Sequence, residues 1–354
     1  MTSRQTHLQQ NAANQSQETD LAIDAQNVTV TYEDGTEAVR GVSLRIENGE
    51  FFGFLGPNGA GKTTTIKSLV TLLHPTEGSV RINGYDTATE PEKVRRSIGY
   101  MAQETSIDRE LTPRENLQLA CKLYGVPGDQ REDRIEALLD LVDLQDVADT
   151  RSEKFSGGMK KRLDAASVLV HRPPVVFLDE PTTGLDPEAR LRLWNYFERI
   201  NEQGTTVFLT TQYLEEADQL CDRLSLLQDG QIIVTGSPDT LKSEFGTDVF
   251  EIALDNPVED RIERAVQAVR RIETLGEPTI RTTEDGFTVR SARAREAASD
   301  LFAALDDAGV SVSDFDVRSP TLDDVFLALT DDSSDTAGRA DTGMASLSAQ
   351  EVST

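Results

Sequence analysis

The sequence predicts an α/β fold with a mostly parallel sheet, followed by a smaller α+β module. Three observations predict it. Short apolar runs alternate with stretches of helical periodicity from residue 23 to about residue 248. A glycine-rich turn, Gly56–Thr63, stands between one such run and a helical stretch. Beyond residue 248 the pattern becomes strand, helix, strand, strand, helix, strand, a ferredoxin-like order.

The body opens with alternating residues at Ala25–Thr31 and Gly41–Ile46, which predict an antiparallel strand pair. Glu50–Leu55 is a short apolar run, as expected of a buried strand. It feeds the glycine turn and then Lys62–Leu73, which predicts a helix. Residues 110–150 have helical periodicity, punctuated by Pro113 and Pro127. Pro174–Leu178 and Thr205–Thr210 predict two more buried strands. In the second module Val249–Leu254, Pro278–Thr282, Phe287–Arg290 and Val310–Val317 predict strands. Asp260–Glu273 and Ala292–Asp307 predict helices, and an amphipathic helix at Leu322–Leu329 closes the module. The expected domains are therefore 23–248 and 249–331, between disordered tails at 1–22 and 332–354 that are poor in apolar residues.

Composition bounds the function. A chain of 354 residues has a prior of about two domains. With 37% hydrophobic residues it builds a core, which excludes wholesale disorder. The formal charge is -27, and the tails carry little of it. Phosphate backbones and anionic lipid are bound by basic surfaces, so nucleic acid and direct membrane adhesion are disfavoured. The basic residues are mostly Arg, with few Lys. An acidic, lysine-poor surface suits a cytosol of very high salt, where self-repulsion is screened, and a halophilic source is expected. No apolar run approaches the ~18 residues of a membrane span. The first residues hold no apolar leader segment. A soluble protein is expected, with any membrane role exerted through a partner. Cys121 and Cys221 match no metal or redox spacing and are expected to be buried thiols. His7, His74 and His171 are too scattered for a transition-metal site.

The chemistry begins at Gly56-Pro57-Asn58-Gly59-Ala60-Gly61-Lys62-Thr63, which fits G-x-x-x-x-G-K-[ST]. Glycines let backbone N–H groups turn inward on phosphate oxygens. The following helix points its positive end at the anion. Lys62 reaches the terminal phosphates in such a loop, and the Thr63 hydroxyl ligates Mg²⁺. Val175–Glu180 is an apolar run ending in two acids. Strand alternation is expected to send their side chains in different directions. Asp179 suits a water-mediated Mg²⁺ role, and Glu180 suits general base on an attacking water. These pieces specify a P-loop nucleotide hydrolase. A second glycine pair, in Phe155-Ser156-Gly157-Gly158-Met159-Lys160, opens another helix upstream of the acids. One chain does not easily fold this second anion site onto its own cradle, but a symmetric pair places it across a shared ATP.

With these motifs in order, residues 23–248 resemble the nucleotide-binding subunit of ATP-binding cassette (ABC) transporters, a fold with an antiparallel β subdomain and a helical subdomain. The resemblance implies ATP and Mg²⁺ as cofactors. Tyr32 resembles the aromatic that stacks on adenine. Gly56–Thr63 resembles the Walker A loop, with Thr64 among the ATP contacts. Gln103 resembles the glutamine that senses Mg²⁺ and the attacking water. Ser156, Gly157, Gly158 and Met159 resemble the signature motif, which acts on the other subunit's ATP. Asp179 and Glu180 resemble the Walker B pair, and Gly184-Leu185-Asp186 resembles the D-loop that crosses to the second subunit.

Two positions depart from the family pattern. The signature ends in Met159 where Gln is usual, and Gln212 stands where a switch His is usual. Gln hydrogen-bonds a γ-phosphate but carries no proton charge, which leaves Glu180 as the main base. These departures, the second module and Pro320–Phe326 resemble the daunorubicin-resistance type, in which ATPase and permease are separate chains. That implies an ATP-hydrolysing exporter subunit, acting as a homodimer with a transmembrane permease on the cytoplasmic face of the membrane. The alternative is a soluble ABC ATPase with a regulatory or nucleic-acid-associated role. The absence of a long heptad run, the single Walker A loop and the charge argue against nucleic acid. Glu180 argues against a module without turnover.

Overall fold

The computed structural model describes residues 21–246, 248–291 and 293–329. Most of each expected tail lies outside the described residues, but Leu21 and Ala22 already belong to the first strand. The chain divides into two compact units, with the break between Ser237 and Pro238. Among the described residues no helix is long and apolar enough to cross a membrane.

The first unit begins with a long hairpin, β1 (Leu21–Thr31) and β2 (Glu37–Glu47), which extends the expected strand pair at both ends. β3 (Phe51–Leu55) is buried along its whole length and leads through the glycine turn into α1 (Lys62–Leu69). β4 (Glu77–Ile82) and β5 (Tyr85–Asp86) complete an antiparallel sheet of order β2-β1-β4-β5. α2 (Pro91–Ser97) then leads to the short β6 (Ile98–Met101). The helical stretch at 110–150 resolves into α3 (Pro113–Leu123) and α4 (Arg131–Leu141), and the helix expected after the second glycine pair is α5 (Gly157–Ser167). α3 starts sharply. Pro113 occupies its first turn, and Thr112 and Glu115 close a reciprocal capping box. β7 (Val175–Asp179), α6 (Pro187–Glu202), β8 (Thr206–Thr211) and α7 (Leu214–Leu220) come next. A hairpin of β9 (Arg223–Gln228) and β10 (Gln231–Gly236) ends the unit.

The central sheet has the order β10-β9-β3-β8-β7-β6. It is parallel except for the β9/β10 hairpin. The parallel strands β3, β7 and β8 are buried on both faces and apolar through their centres, as a sheet covered on both sides requires. Phe208 sits at the centre, with ring centroids of Phe52, Phe54 and Phe177 at 5.9, 5.6 and 5.5 Å. Register sets the level at which each strand ends. Leu55 pairs with Thr211, Asp179 with Thr210, and Met101 with Leu178. The carboxyl ends of β3, β6, β7 and β8 are therefore level, and the four loops after them leave from one edge.

Both cysteines are buried and free. Cys221 packs so closely that a Cβ on Gly53 would lie 2.8 Å from its sulfur.

The second unit opens with α8 (Pro238–Phe245). Its sheet comprises β11 (Asp248–Leu254), β12 (Thr279–Thr282), β13 (Gly286–Ser291) and β14 (Val312–Arg318). Helices α9 (Glu259–Val269) and α10 (Ala298–Asp307) come after β11 and β13. The order β12-β13-β11-β14, antiparallel throughout, is the ferredoxin-like arrangement expected from the sequence. Residues 322–329 are helical. Asp324 pins that helix to the sheet. Its carboxylate accepts from Arg318 Nη1 and the Thr321 amide, both at 2.9 Å, and forms an ion pair with Arg290 Nη1 at 2.8 Å. Burial pushes this carboxyl up, but Arg318, Thr321 and Arg290 together outweigh burial and leave it below the usual 3.8.

A group whose folded pKa is depressed stabilises the fold above its unfolded value, and that stability is lost as pH falls through the folded value. Asp324→Asn is therefore expected to destabilise this unit by roughly 3 kcal/mol at neutral pH. The difference from the parent should shrink on acidification below 3.8, as measured by urea unfolding across pH.

Candidate active site

The four loops from the level strand ends surround one cavity of about 660 Å³, lined by Lys62, Thr63, Gln103, Glu180, Thr183 and Gln212 among others. The loop after β3 contributes Asn58, Gly59, Gly61, Lys62, Thr63 and Thr64, and Tyr32 and Ala38 come from the antiparallel sheet side. The site residues expected from five separate stretches of sequence, at Tyr32, Asn58–Thr64, Gln103, Glu180 and Gln212, thus share one space.

Two glycines of the cradle are dictated by packing as well as by phosphate access. A Cβ on Gly56 would lie 2.4 Å from the Leu227 carbonyl oxygen. One on Gly61 would lie 2.4 Å from that of Ala38, and Gly61 also has φ +106°. Gly59 has φ +85° with open space around it. Pro57 and Asn58 are exposed at the turn, and Ala60 is buried beneath it. Gly61 is the N-cap of α1, so the first amides of that helix face the cavity side of the loop.

Lys62 is only 5% exposed. Its ammonium donates to the carbonyls of Gly56 at 2.8 Å and Pro57 at 3.2 Å and lies 3.3 Å from Glu180 Oε1. Glu180 Oε2 accepts from Gln103 Nε2 at 3.2 Å and from the Thr183 hydroxyl at 3.4 Å. The two acids do point in different directions, but strand alternation is not the cause. β7 ends at Asp179, and Glu180 turns with φ +47°, a left-handed conformation that costs a non-glycine residue roughly 1–2 kcal/mol. That turn carries the Glu180 carboxylate into the cavity.

Asp179 stays beneath, 1% exposed. Its Oδ1 accepts from Thr210 Oγ1 at 2.6 Å and from Thr63 Oγ1 at 3.4 Å. Burial pushes this carboxyl above the usual range, and the Thr210 bond opposes that shift. A hydroxyl and a carboxylate side by side, with no nitrogen or sulfur donor, form the oxygen set that a hard cation prefers. Tyr32 is half-exposed, and its hydroxyl lies 3.0 Å from that of Thr64.

The remaining expected residues lie apart from these. Ser156 caps α5, its hydroxyl accepting from the Met159 amide at 3.2 Å. Gly157 and Gly158 open that helix, and a Cβ on Gly158 would lie 2.9 Å from Ala189. Asp186 caps α6 by accepting from the Ala189 amide at 2.9 Å. None of Ser156, Gly157, Gly158, Met159 and Asp186 lines the cavity, so within one chain both caps face elsewhere.

Sequence reasoning missed several supports. Thr210 holds Asp179, and Thr183 lines the cavity beside Glu180. On α5, buried Lys161 donates to the Gln103 carbonyl at 2.6 Å, and Asp164 accepts from the Ser106 hydroxyl at 2.6 Å. Burial pushes the Lys161 ammonium below its usual range and the Asp164 carboxyl above its own. The helix that begins at Ser156 therefore holds the loop that carries Gln103. One signal was available for Thr210: Thr210-Thr211 are polar at the carboxyl end, directly after the apolar Val207–Leu209.

A glycine loop that opens a helix at the carboxyl edge of a parallel sheet, facing a strand-end acid pair, defines a P-loop nucleotide-binding protein. Residues 39–183 match the ABC transporter family, and residues 236–330 match the C-terminal domain of DrrA1-3-like ATP-binding proteins. The chain is 40% identical over 313 residues to the daunorubicin resistance ATP-binding protein DrrA3 of Streptomyces coeruleorubidus, covering 88% of this chain and 97% of that one. It is 40% identical over 311 residues to the daunorubicin/doxorubicin resistance ATP-binding protein DrrA of Streptomyces peucetius, with 87% and 92% covered. Among solved structures it resembles a dimeric ATP-binding cassette in a post-hydrolysis state bound to ADP and Pi. The TM-score is 0.56 at 30% identity, over 61% of this chain and 98% of that one. The chain belongs to the ATP-binding subunits of ABC transporters, in their daunorubicin-resistance branch, and is an ATPase.

The two cradle glycines should separate by cause. Gly59→Ala meets only left-handed strain and is expected to cost about 1–2 kcal/mol. Gly61→Ala also drives a Cβ into backbone and is expected to cost roughly 3 kcal/mol or more and to lose ATP binding. Calorimetric melting and binding of a fluorescent ATP analogue measure both.

Proposed function

We propose that this chain powers an exporter of hydrophobic compounds by hydrolysing ATP between two copies of itself, with a separate permease as its membrane partner. The observation that carries the catalytic half is the convergence of Lys62, Thr63, Gln103, Glu180 and Gln212 on one cavity. The names of the relatives, which refer to drug resistance, favour export.

The chemistry is phosphoryl transfer to water, driven by positioning and electrostatics. The Lys62 ammonium is held by two neutral carbonyls and Glu180, and an arriving triphosphate is a stronger partner than a carbonyl. Asn58 to Thr64 cradle the phosphates through backbone amides and the Thr63 and Thr64 hydroxyls, and Tyr32 stacks on the adenine. Thr63 would ligate a magnesium ion, with Asp179 and Gln103 holding it through water, and the ion would supply neutralisation of the charge on the transferred phosphoryl group. Glu180 takes the proton of the attacking water. Its left-handed turn and its bond from Gln103 place the carboxylate on the cavity wall for that task. Gln212 donates its amide to the γ-phosphate.

Ser156 and Gly158 of a second copy cap that phosphate, and Asp186 crosses between the copies. Their distance from the chain's own cavity is what such a sandwich needs. Closure on ATP and release after hydrolysis are passed to the permease, through Gln103 and residues 104–150, at the cytoplasmic face of the membrane. The acidic body suits a salt-rich cytosol.

Glu180→Gln is expected to lower turnover at least ~100-fold while it keeps ATP binding and traps a dimer. Phosphate release and light scattering report on the two effects, and near-normal turnover removes Glu180 from the base role. Gln212→Ala is expected to slow hydrolysis by roughly tenfold or more, and an unchanged rate removes its switch role. The melting temperature is expected to rise by roughly 5–10 °C between about 0.1 M and 2 M KCl. A flat response argues against adaptation to high salt.

A further inference from the structure

Among the buried ionisable groups that the proposed chemistry does not use, Glu216 has the most unusual surroundings. It lies in the first turn of α7, four residues after Gln212, and is 0% exposed. Its Oε1 accepts from the Thr182 hydroxyl at 3.0 Å and from the Trp194 indole N–H at 2.9 Å. Thr182 belongs to the loop that runs from Glu180 to Asp186, and the Leu185 amide donates to its carbonyl at 3.1 Å. Trp194 is on α6, two turns beyond the Asp186 cap.

A second contact joins the same elements. The Arg190 guanidinium of α6 lies 4.5 Å from the ring centroid of Tyr213, the residue after Gln212. Among the described residues Arg190 Nε is buried without a hydrogen-bond partner, and Arg190 attracts the Glu216 carboxylate. Burial pushes the Glu216 carboxyl above its usual range, and Thr211, Trp194 and Thr182 oppose that. A carboxylate is an expensive way to fill a core position. This one joins three segments: the turn after the switch glutamine, the loop after the general base, and the helix behind the loop that crosses between copies.

We infer that Glu216 is a positioning residue for hydrolysis, tying the Gln212 segment to the Thr182 loop and to α6 so that these elements shift together when nucleotide binds. The inference rests on the reading of Gln212 as the γ-phosphate partner and of Asp186 as the residue that crosses. A purely structural Glu216 would change stability alone. A positioning Glu216 also sets the geometry of the reacting groups, and its loss appears in kcat more than in ATP affinity.

The test uses the full chain and its only tryptophan, Trp194, as an optical probe. In the parent, Mg-ATP is expected to shift Trp194 emission. Glu216→Ala is expected to bind ATP within about threefold of the parent, to lose that shift and to lower kcat by at least roughly tenfold. Glu216→Gln keeps an acceptor oxygen and is expected to recover kcat to within about threefold of the parent. Thr182→Val removes one donor at constant shape and is expected to lower kcat about three- to tenfold with ATP binding unchanged. It decides the matter if Glu216→Ala does not fold. Normal kcat in Thr182→Val, or normal kcat and emission response in Glu216→Ala, overturns the inference. If Gln212→Ala hydrolyses ATP normally while the Glu216 and Thr182 variants do not, the switch reading of Gln212 falls and the tie between the two loops stands.

Discussion

The parallel register of the central sheet is the constraint on which the site depends. Leu55, Met101, Asp179 and Thr211 end their strands at one level because Leu55 pairs with Thr211, Asp179 with Thr210 and Met101 with Leu178. Slip one strand by two residues and its loop moves by some 6–7 Å, out of reach of the other three. The phenylalanines around Phe208 fix that register from inside the sheet, where an odd slip would turn them to the opposite face. The geometry of the site is therefore held by apolar packing inside the sheet, with Asp179 and Thr210 at the strand ends as its polar contributions.

On that frame, polar side chains make the finer adjustments. Thr210 holds Asp179 at the strand end, whereas Glu180 leaves the strand through a strained turn and is caught by Lys62, Gln103 and Thr183. The same two-sided arrangement recurs away from the cavity. α5 secures the Gln103 loop through Lys161 and Asp164, and the region of α7 after Gln212 is secured to α6 through Glu216. Each of these two segments beside the cavity is thus tied to a helix whose N-cap, Ser156 or Asp186, lies outside it.

How much of this was legible in the sequence depends on how local each signal is. The glycine cradle, the acidic strand end and the Ser156 turn are contiguous strings with a chemical reason at each position, and the structure places each at a strand or helix end. The ferredoxin-like order of the second unit was legible from periodicity alone. Strands β4, β5 and β6 were not, and β6 shows why: it spans four residues and includes a glycine. That glycine is required by a neighbour far along the chain: a Cβ on Gly99 would lie 2.5 Å from the Val168 carbonyl oxygen. The β9/β10 hairpin did carry a local signal, the pair Asp229-Gly230, which takes up the positive φ its turn needs. Lys161, Asp164 and Glu216 were invisible as functional supports. A charged residue on an amphipathic helix reads as solvent-facing until its tertiary partner is known, and each partner here lies at least 22 residues away in sequence.

The two departures from the family pattern can be weighed by the atoms each position uses. At 159 the contact that matters within the chain is the backbone amide bonded to Ser156, and any residue other than proline supplies it. Met in place of Gln therefore leaves the helix start intact. Position 212 is different, because Gln212 lines the cavity from the turn after β8. A glutamine there donates a hydrogen bond without taking up a proton. Glu180 is then the only carboxylate lining the cavity among the described residues, with no imidazole beside it to share the proton of an attacking water. Under the proposed chemistry, proton transfer in this chain rests on that one carboxylate, whose placement depends on a strained turn, one lysine, one glutamine and one threonine.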